Sequence, residues 1–377
     1  MTISFTAAVL RAHTTDRPFG HSRPLQIETV RAPAPAAHEV LVRIEAASLC
    51  RSDLSVITGV RPWPLPIVPG HEASGIVEAV GPDVRRVATG DRVVLVYQPQ
   101  CGVCPCCVAG DAYLCAPGLA ANRAGALLTG GPRLSGDAGP IHHHMGLSAF
   151  AECAIVSEQS LVRVDPELPP DVAALFGCAV MCGAGSVINT GAVRPGESVV
   201  IVGIGGVGAS ALLGARLAGA ARIVAVDTDP EKRRLAETLG ATDTVAGGPT
   251  AGSEILELTG GGADCTLETA GNRDAFETAY SAARRGGRIV TVGLADPATP
   301  FALDIAAHVT SAKTVIGSYM GSCNPAVDIP RFVALYRAGR FPVDRLITHR
   351  LPLAEINIAL DRMADSAALR QIVLPDA

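Results

Sequence analysis

The chain has no run of basic residues, no unbroken apolar span, no internal repeat and no low-complexity tail. Its net charge of −5 excludes the usual nucleic-acid binder, because affinity for a phosphate backbone rests largely on Lys and Arg neutralising phosphates. The most apolar stretch, 199–221, is broken by glycines and by Arg216, so no membrane partner is expected. The opening MTISFTAAVLRAH has neither the basic start nor the continuous apolar core of a secretory leader, and a cytoplasmic location is the expectation. Disulfides are rare in that compartment, so clustered cysteines there read as metal ligands first.

What is present is enough for two cores: 377 residues, 48% of them hydrophobic. Up to residue 100 the chain carries short β-rich runs, Val40 to Ile44, Ser74 to Val80 and Arg92 to Val96, separated by Gly, Pro and Asp. Residues 116–145 are rich in Gly, Ala and Pro and read as a long loop ending in Pro140-Ile-His-His-His-Met145. From Glu197 onward strands and helices alternate: strands at 199–203, 222–227, 265–268 and 288–293, helices at about 207–217, 230–239 and 273–284. That alternation predicts a parallel, doubly wound α/β sheet. A helix at 330–338 and a final strand at 370–374 follow.

The run Gly203-Ile-Gly205-Gly206-Val207-Gly208 follows an apolar strand and opens a helix, the context in which G-x-G-x-x-G binds a dinucleotide. The first glycine permits the turn, the second lets the backbone approach a pyrophosphate, and the third lets helix and strand pack closely. Nineteen residues beyond Gly208, Asp227 ends the next strand, where a carboxylate grips the ribose hydroxyls of NAD and repels the extra phosphate of NADP. Arg233 and Arg234 lie close enough to leave some tolerance of NADP open.

Five of eleven cysteines fall within residues 101–115. Cys101, Cys104, Cys107 and Cys115 have the spacing of a closed four-thiolate zinc site, which leaves no open position and is structural; Cys106 is surplus and could replace Cys107. Cys50, His71 and Cys178 have the make-up of an open zinc site, although each alone has an ordinary structural explanation.

In order, Cys50-Arg51-Ser52-Asp53, Gly70-His71-Glu72, the four-cysteine lobe, Gly177-Cys178, the glycine loop with Asp227, and Leu369-Arg370-Gln371-Ile372-Val373 resemble the zinc-dependent medium-chain alcohol dehydrogenases over essentially the whole length. The resemblance implies a Rossmann domain at 180–322 inserted in a GroES-like β-rich catalytic domain, 1–179 and 323–377, with the zinc lobe at about 98–116 and the active site in the cleft between domains. It implies two zinc ions and NAD, with Cys50, His71 and Cys178 as catalytic zinc ligands, Ser52 taking the alcohol proton, and Asp53 and Glu72 behind the ligands. Arg51 and Arg370 are implied pyrophosphate contacts and Lys232 a ribose neighbour, with Val207, Val292 and Leu294 lining the nicotinamide pocket. The implied reaction moves a hydride between an alcohol and NAD, zinc acting as Lewis acid toward the aldehyde or ketone in reverse.

Two positions depart from the family pattern. Ser55 stands where many members have the His that ends the proton relay, and Cys182 where Thr often faces the nicotinamide. The stretch 116–145 resembles the extended segment of the dimeric branch, which includes the thiol-dependent formaldehyde dehydrogenases, so a homodimer is expected and that activity is the alternative. Pocket-wall positions implied by the match are Arg61, Trp63, Tyr97, His144 and Met145, a polar and aromatic wall that points to aromatic or functionalised alcohols. His142 to His144 are not expected to form a metal tract, since successive side chains point in different directions.

Overall fold

A computed structural model of the chain describes residues 2–375. It divides into two compact units, residues 1–178 with 324–333 and 344–377, and residues 179–323 with 334–343.

In the first unit a small closed barrel is formed by Thr2–Leu10, Leu25–Pro33, Leu134–Gly136, Gly139–His143 and Ile67–Val68, the ring closing where Leu10 pairs with Ile67. Alternate residues fill it: Phe5, Ala7 and Val9 from the first strand meet Val30, Leu134 and Ile141. A seven-stranded sheet is centred on Glu39–Ser48, which pairs with Glu72–Val80, Cys153–Ser157 and Arg370–Leu374. Val40, Val42 and Ile44 in that strand are fully buried. Each such side chain contributes about 1.5–3 kcal/mol relative to exposure, an upper estimate because denatured chains already bury some surface.

Residues 116–145 are not the expected long loop. Ala116–Arg123 is a helix whose first turn holds Pro117 and whose cap is Cys115 Sγ, accepting from the Gly118 N–H; Leu134–Gly136 and Gly139–His143 form a hairpin that completes the barrel. Their composition concealed this, because Pro is tolerated in a first helical turn, Ala is the strongest helix former, and the hairpin strands are too short to show alternation.

The second unit holds a six-stranded, wholly parallel sheet in the spatial order Asp243–Ala246, Arg222–Asp227, Ser198–Val202, Ala263–Glu268, Ala283–Thr291, Thr314–Gly317. Numbered along the chain within this sheet the order is 3-2-1-4-5-6, so the strand order reverses beside Ser198–Val202, the strand that feeds the glycine loop. Its helices begin at polar caps: Asp229 accepts from the Glu231 N–H and Asn272 from the Ala275 N–H. The strand expected at 288–293 instead runs from Ala283 to Thr291. Its first half, Ala283-Arg284-Arg285-Gly286-Gly287, is mostly exposed and has no apolar pattern to announce it. Among the described residues no helix is long and apolar enough to cross a membrane.

Candidate functional site

Three chain turns of the first unit meet at one point. Cys50 follows the central strand Glu39–Ser48 and caps the helix Arg51–Ile57; His71 sits between Ile67–Val68 and Glu72–Val80; Cys178 follows the helix Pro170–Leu175. All three are buried, and their ligand atoms lie within 4.8 Å of one another. The histidine is oriented from both sides. Its Nδ1 lies 2.8 Å from Asp53 Oδ1, and its Nε2 is 3.7 Å from Cys178 Sγ. Because a carboxylate only accepts, Nδ1 carries a proton and Nε2 faces the thiols. Burial works against the charged ring, but Asp53 and Cys50 outweigh it and hold its pKa well above the ordinary value, so a metal bound at Nε2 would take the place of the second proton. Asp53 Oδ2 also accepts from the Cys50 N–H at 2.9 Å, so one fully buried carboxylate ties down two members of the trio. The Cys50 thiol is held well below the ordinary thiol range by Cys178, and further by His71 and Arg370, against the opposing effect of burial. A donor set of two thiols, one ionised this readily, and a correctly turned imidazole fits zinc with one position left open.

Behind the trio, Arg370 is 3% exposed and donates to both Glu72 Oε2 and Ser48 Oγ. Burial works against its charge, but Glu72 and the thiols of Cys50 and Cys178 outweigh that and raise its pKa. Tyr97 and His144 pack edge-on against the His71 ring at 5.7 and 5.3 Å, and Trp63 packs edge-on against His144 at 5.0 Å. His71 and His144 are neighbours because Ile67–Val68 and Gly139–His143 run side by side in parallel and deliver both to the same end. Burial pushes His144 down to about 3, so it is a neutral imidazole. Asp53, His71 and His144 also form a compact triplet, but the carboxylate there is already hydrogen-bonded to both His71 and Cys50. Arg61 and Met145 are half-buried, as is Ser52, and Arg51 is exposed. Ser55 Oγ donates to the Arg51 carbonyl at 3.2 Å.

The lobe brings Cys101, Cys104, Cys107 and Cys115 within 4.8 Å, with Cys106 outside the group. Backbone N–H groups point at its sulfurs, from Cys101 to Cys115 Sγ at 3.2 Å and from Cys104 to Cys101 Sγ at 3.3 Å. The thiols are driven apart, Cys104 down to about 7 chiefly by the Cys107 backbone N–H and Cys107 up to about 12 chiefly by burial. Four thiolates this close repel, and a divalent cation removes that repulsion, which is why the set fits a closed zinc site.

In the second unit the glycine loop turns at Gly203, φ +95°, and Gly205 caps the helix Gly206–Leu217. A Cβ on Gly208 would stand 1.9 Å from the Gly203 carbonyl oxygen, so helix and loop touch there. Asp227 accepts from the Ile204 N–H at 2.7 Å and the Asp229 N–H at 2.9 Å, which fixes its carboxylate beside the loop. A cavity of about 1130 Å³ opens there, lined by Gly203, Asp227, Thr228, Gly247, Asn272 and Arg273. Arg233 is tethered to the carbonyls of Asp227 and Thr228. Lys232, Val207 and Val292 are half-buried, and Leu294 is 58% exposed. Sequence reasoning missed Thr269, whose Oγ1 donates to the Gly203 carbonyl at 2.6 Å, and Ser48 behind the zinc trio. It also missed Asn122, which donates to the Tyr97 carbonyl from the helix taken for loop. A hydroxyl just past a parallel strand next to a glycine loop was the one available signal.

A glycine loop on a switch-point strand, a closed thiolate lobe and an open trio of metal ligands define a zinc- and dinucleotide-dependent oxidoreductase. Residues 36–166 match the alcohol dehydrogenase GroES-like domain and 206–337 the zinc-binding dehydrogenase domain. The chain is 37% identical to the class-3 alcohol dehydrogenase of Myxine glutinosa, covering 93% of this chain and 94% of that one. It is 35% identical to the S-(hydroxymethyl)glutathione dehydrogenase of Saccharomyces cerevisiae, covering 94% of each. The crystal structure of benzyl alcohol dehydrogenase from Acinetobacter calcoaceticus superposes with a TM-score of 0.91 at 33% identity, covering 99% of both chains. The chain therefore belongs to the zinc-dependent medium-chain alcohol dehydrogenase family. It is an NAD-dependent zinc alcohol dehydrogenase, acting on small-molecule alcohols or aldehydes.

Proposed function

We propose that the chain interconverts aromatic or functionalised alcohols and their carbonyl products with NAD, using Cys50, His71 and Cys178 as the ligands of the catalytic zinc. The orientation of His71 carries this reading: Nε2 toward the thiols, Nδ1 on Asp53. Zinc held there supplies Lewis-acid polarisation and makes a bound hydroxyl acidic near neutrality. Ser52, at the start of the helix that Cys50 caps, takes the alcohol proton and passes it outward. Asp53 keeps the imidazole turned, and the Arg370–Glu72 pair places positive charge beside the two thiolates. Arg51 and Arg370 bind the pyrophosphate, Asp227 and Lys232 the ribose, and Val207, Val292 and Leu294 the nicotinamide. Asp227 favours NAD over NADP, and the tethering of Arg233 to backbone carbonyls supports that preference.

Trp63, Tyr97 and His144 around the zinc ligands, with Arg61 and Met145 completing the wall, support an aromatic or polar-substituted substrate, as does the likeness to a benzyl alcohol dehydrogenase. A second reading, thiol-dependent formaldehyde oxidation, draws on the likeness to the yeast enzyme. A cytoplasmic homodimer completes the proposal. Its test is an alcohol and aldehyde panel with NAD and NADP, with and without glutathione, followed by absorbance of the reduced nicotinamide. We expect benzylic alcohols to give a higher kcat/KM than ethanol, with NAD preferred. A best rate on ethanol overturns the pocket assignment, and formaldehyde oxidation that appears only with glutathione moves the function to the second reading.

A further inference from the structure

His144 is a buried polar side chain that neither the zinc ligands nor the fold accounts for. It is fully buried, and among the described residues neither ring nitrogen has a hydrogen-bond partner. Leaving such an atom buried and unpaired is a net cost to the folded chain. The backbone around it is nonetheless held in a demanding conformation. Met145 and Ser148 both lie in the left-handed region, φ +51° and +59°. The His144 N–H donates to Ser148 Oγ at 3.1 Å and the Leu147 N–H to the His144 carbonyl at 3.0 Å. Conformations of this kind persist where the surroundings over-determine them, and they cluster at ligand sites.

The ring stands edge-on between Trp63 and the zinc ligand His71. Its Nδ1 is 3.5 Å from Asp53 Oδ1, too long for a good hydrogen bond, yet an oxygen that only accepts favours the tautomer with the proton on that side. Nε2 is then left as a bare acceptor, sealed from water in a ring packed against His71, and among the described residues nothing donates to it. Resting on the alcohol-dehydrogenase reading, we propose that His144 is a specificity residue whose Nε2 accepts a hydrogen bond from a second donor on the substrate. The substrate class is thereby narrowed to alcohols that carry a further hydroxyl or amino group, with the hydroxybenzyl alcohols as probes.

Trp63, the only tryptophan in the chain, has its ring centroid 5.0 Å from that of His144 and reports binding directly. Zinc-loaded enzyme without NAD is titrated by tryptophan fluorescence with the three hydroxybenzyl alcohols and with their methoxy counterparts, which accept but do not donate. One good hydrogen bond corresponds to a preference of about tenfold for at least one hydroxy isomer over its methoxy partner. That preference is expected to vanish in His144→Phe and to return in part in His144→Gln, whose amide oxygen accepts. The same ratio is read from kcat/KM with NAD. Equal affinities within every pair in the wild type, or a preference that survives in His144→Phe, overturns the proposal. A panel with no turnover but an intact binding ratio overturns the enzyme reading alone.

Discussion

Asp53 does work that its position three residues after Cys50 does not reveal. One oxygen turns His71, the other holds the Cys50 N–H, and the side chain is fully buried. Removing the carboxylate leaves the imidazole free to turn, so Asp53→Ala is expected to lower zinc affinity or kcat/KM about 10–100-fold. Metal content after dialysis against a chelator, alongside turnover, measures it; full zinc retention with full activity rejects the orienting role. Gly208 is a second residue with one narrow requirement. A methyl group there meets the Gly203 carbonyl at 1.9 Å, so Gly208→Ala should push the loop aside and weaken NADH binding while zinc content is unchanged. Titration by NADH fluorescence checks it, and wild-type affinity would mean the loop yields freely. Glycine spacing made the second residue legible in the sequence. The role of Asp53 came only from the family likeness, since a buried carboxylate and a capping one look alike in one dimension.

The lobe spanning Cys101 to Cys115 is legible at the scale of a local element, because its four ligands lie within fifteen residues. Spacing favoured Cys107, by a three-residue step taken twice, without excluding Cys106. They are adjacent on the short helix Pro105–Ala109 and point in different directions, and only Cys107 joins the cluster. Cys107→Ser is expected to reduce bound zinc from two ions to one and lower Tm, whereas Cys106→Ser keeps both; the reverse pattern in metal analysis would exchange the assignment. The helix and hairpin within 116–145 were not legible, because elements this short draw their stability from the barrel they close and not from their own periodicity.

For the whole molecule, the strand Thr314–Gly317 ends the parallel sheet and, among the described residues, pairs on one side only. In the helix Ile305–Ser311, which precedes it in the chain, Ile305 and Val309 are 75% and 70% exposed, an apolar surface that supports the proposed homodimer. Light scattering should give twice the 38.6 kDa chain mass, and Ile305→Asp with Val309→Asp should give one chain mass. A monomeric wild type, or a double variant of unchanged mass, ends that proposal. Local patterns in the sequence determined the parallel sheet, the glycine loop with Asp227 and the four-cysteine lobe, because strand, turn and ligand spacing are short-range properties of the chain. Only the tertiary structure brings the candidate site together. His71 and Cys178 are 107 positions apart, and the Asp53–His71–His144 contacts exist because two strands from distant segments lie in parallel and end together. Neighbours made by folding leave no spacing to read.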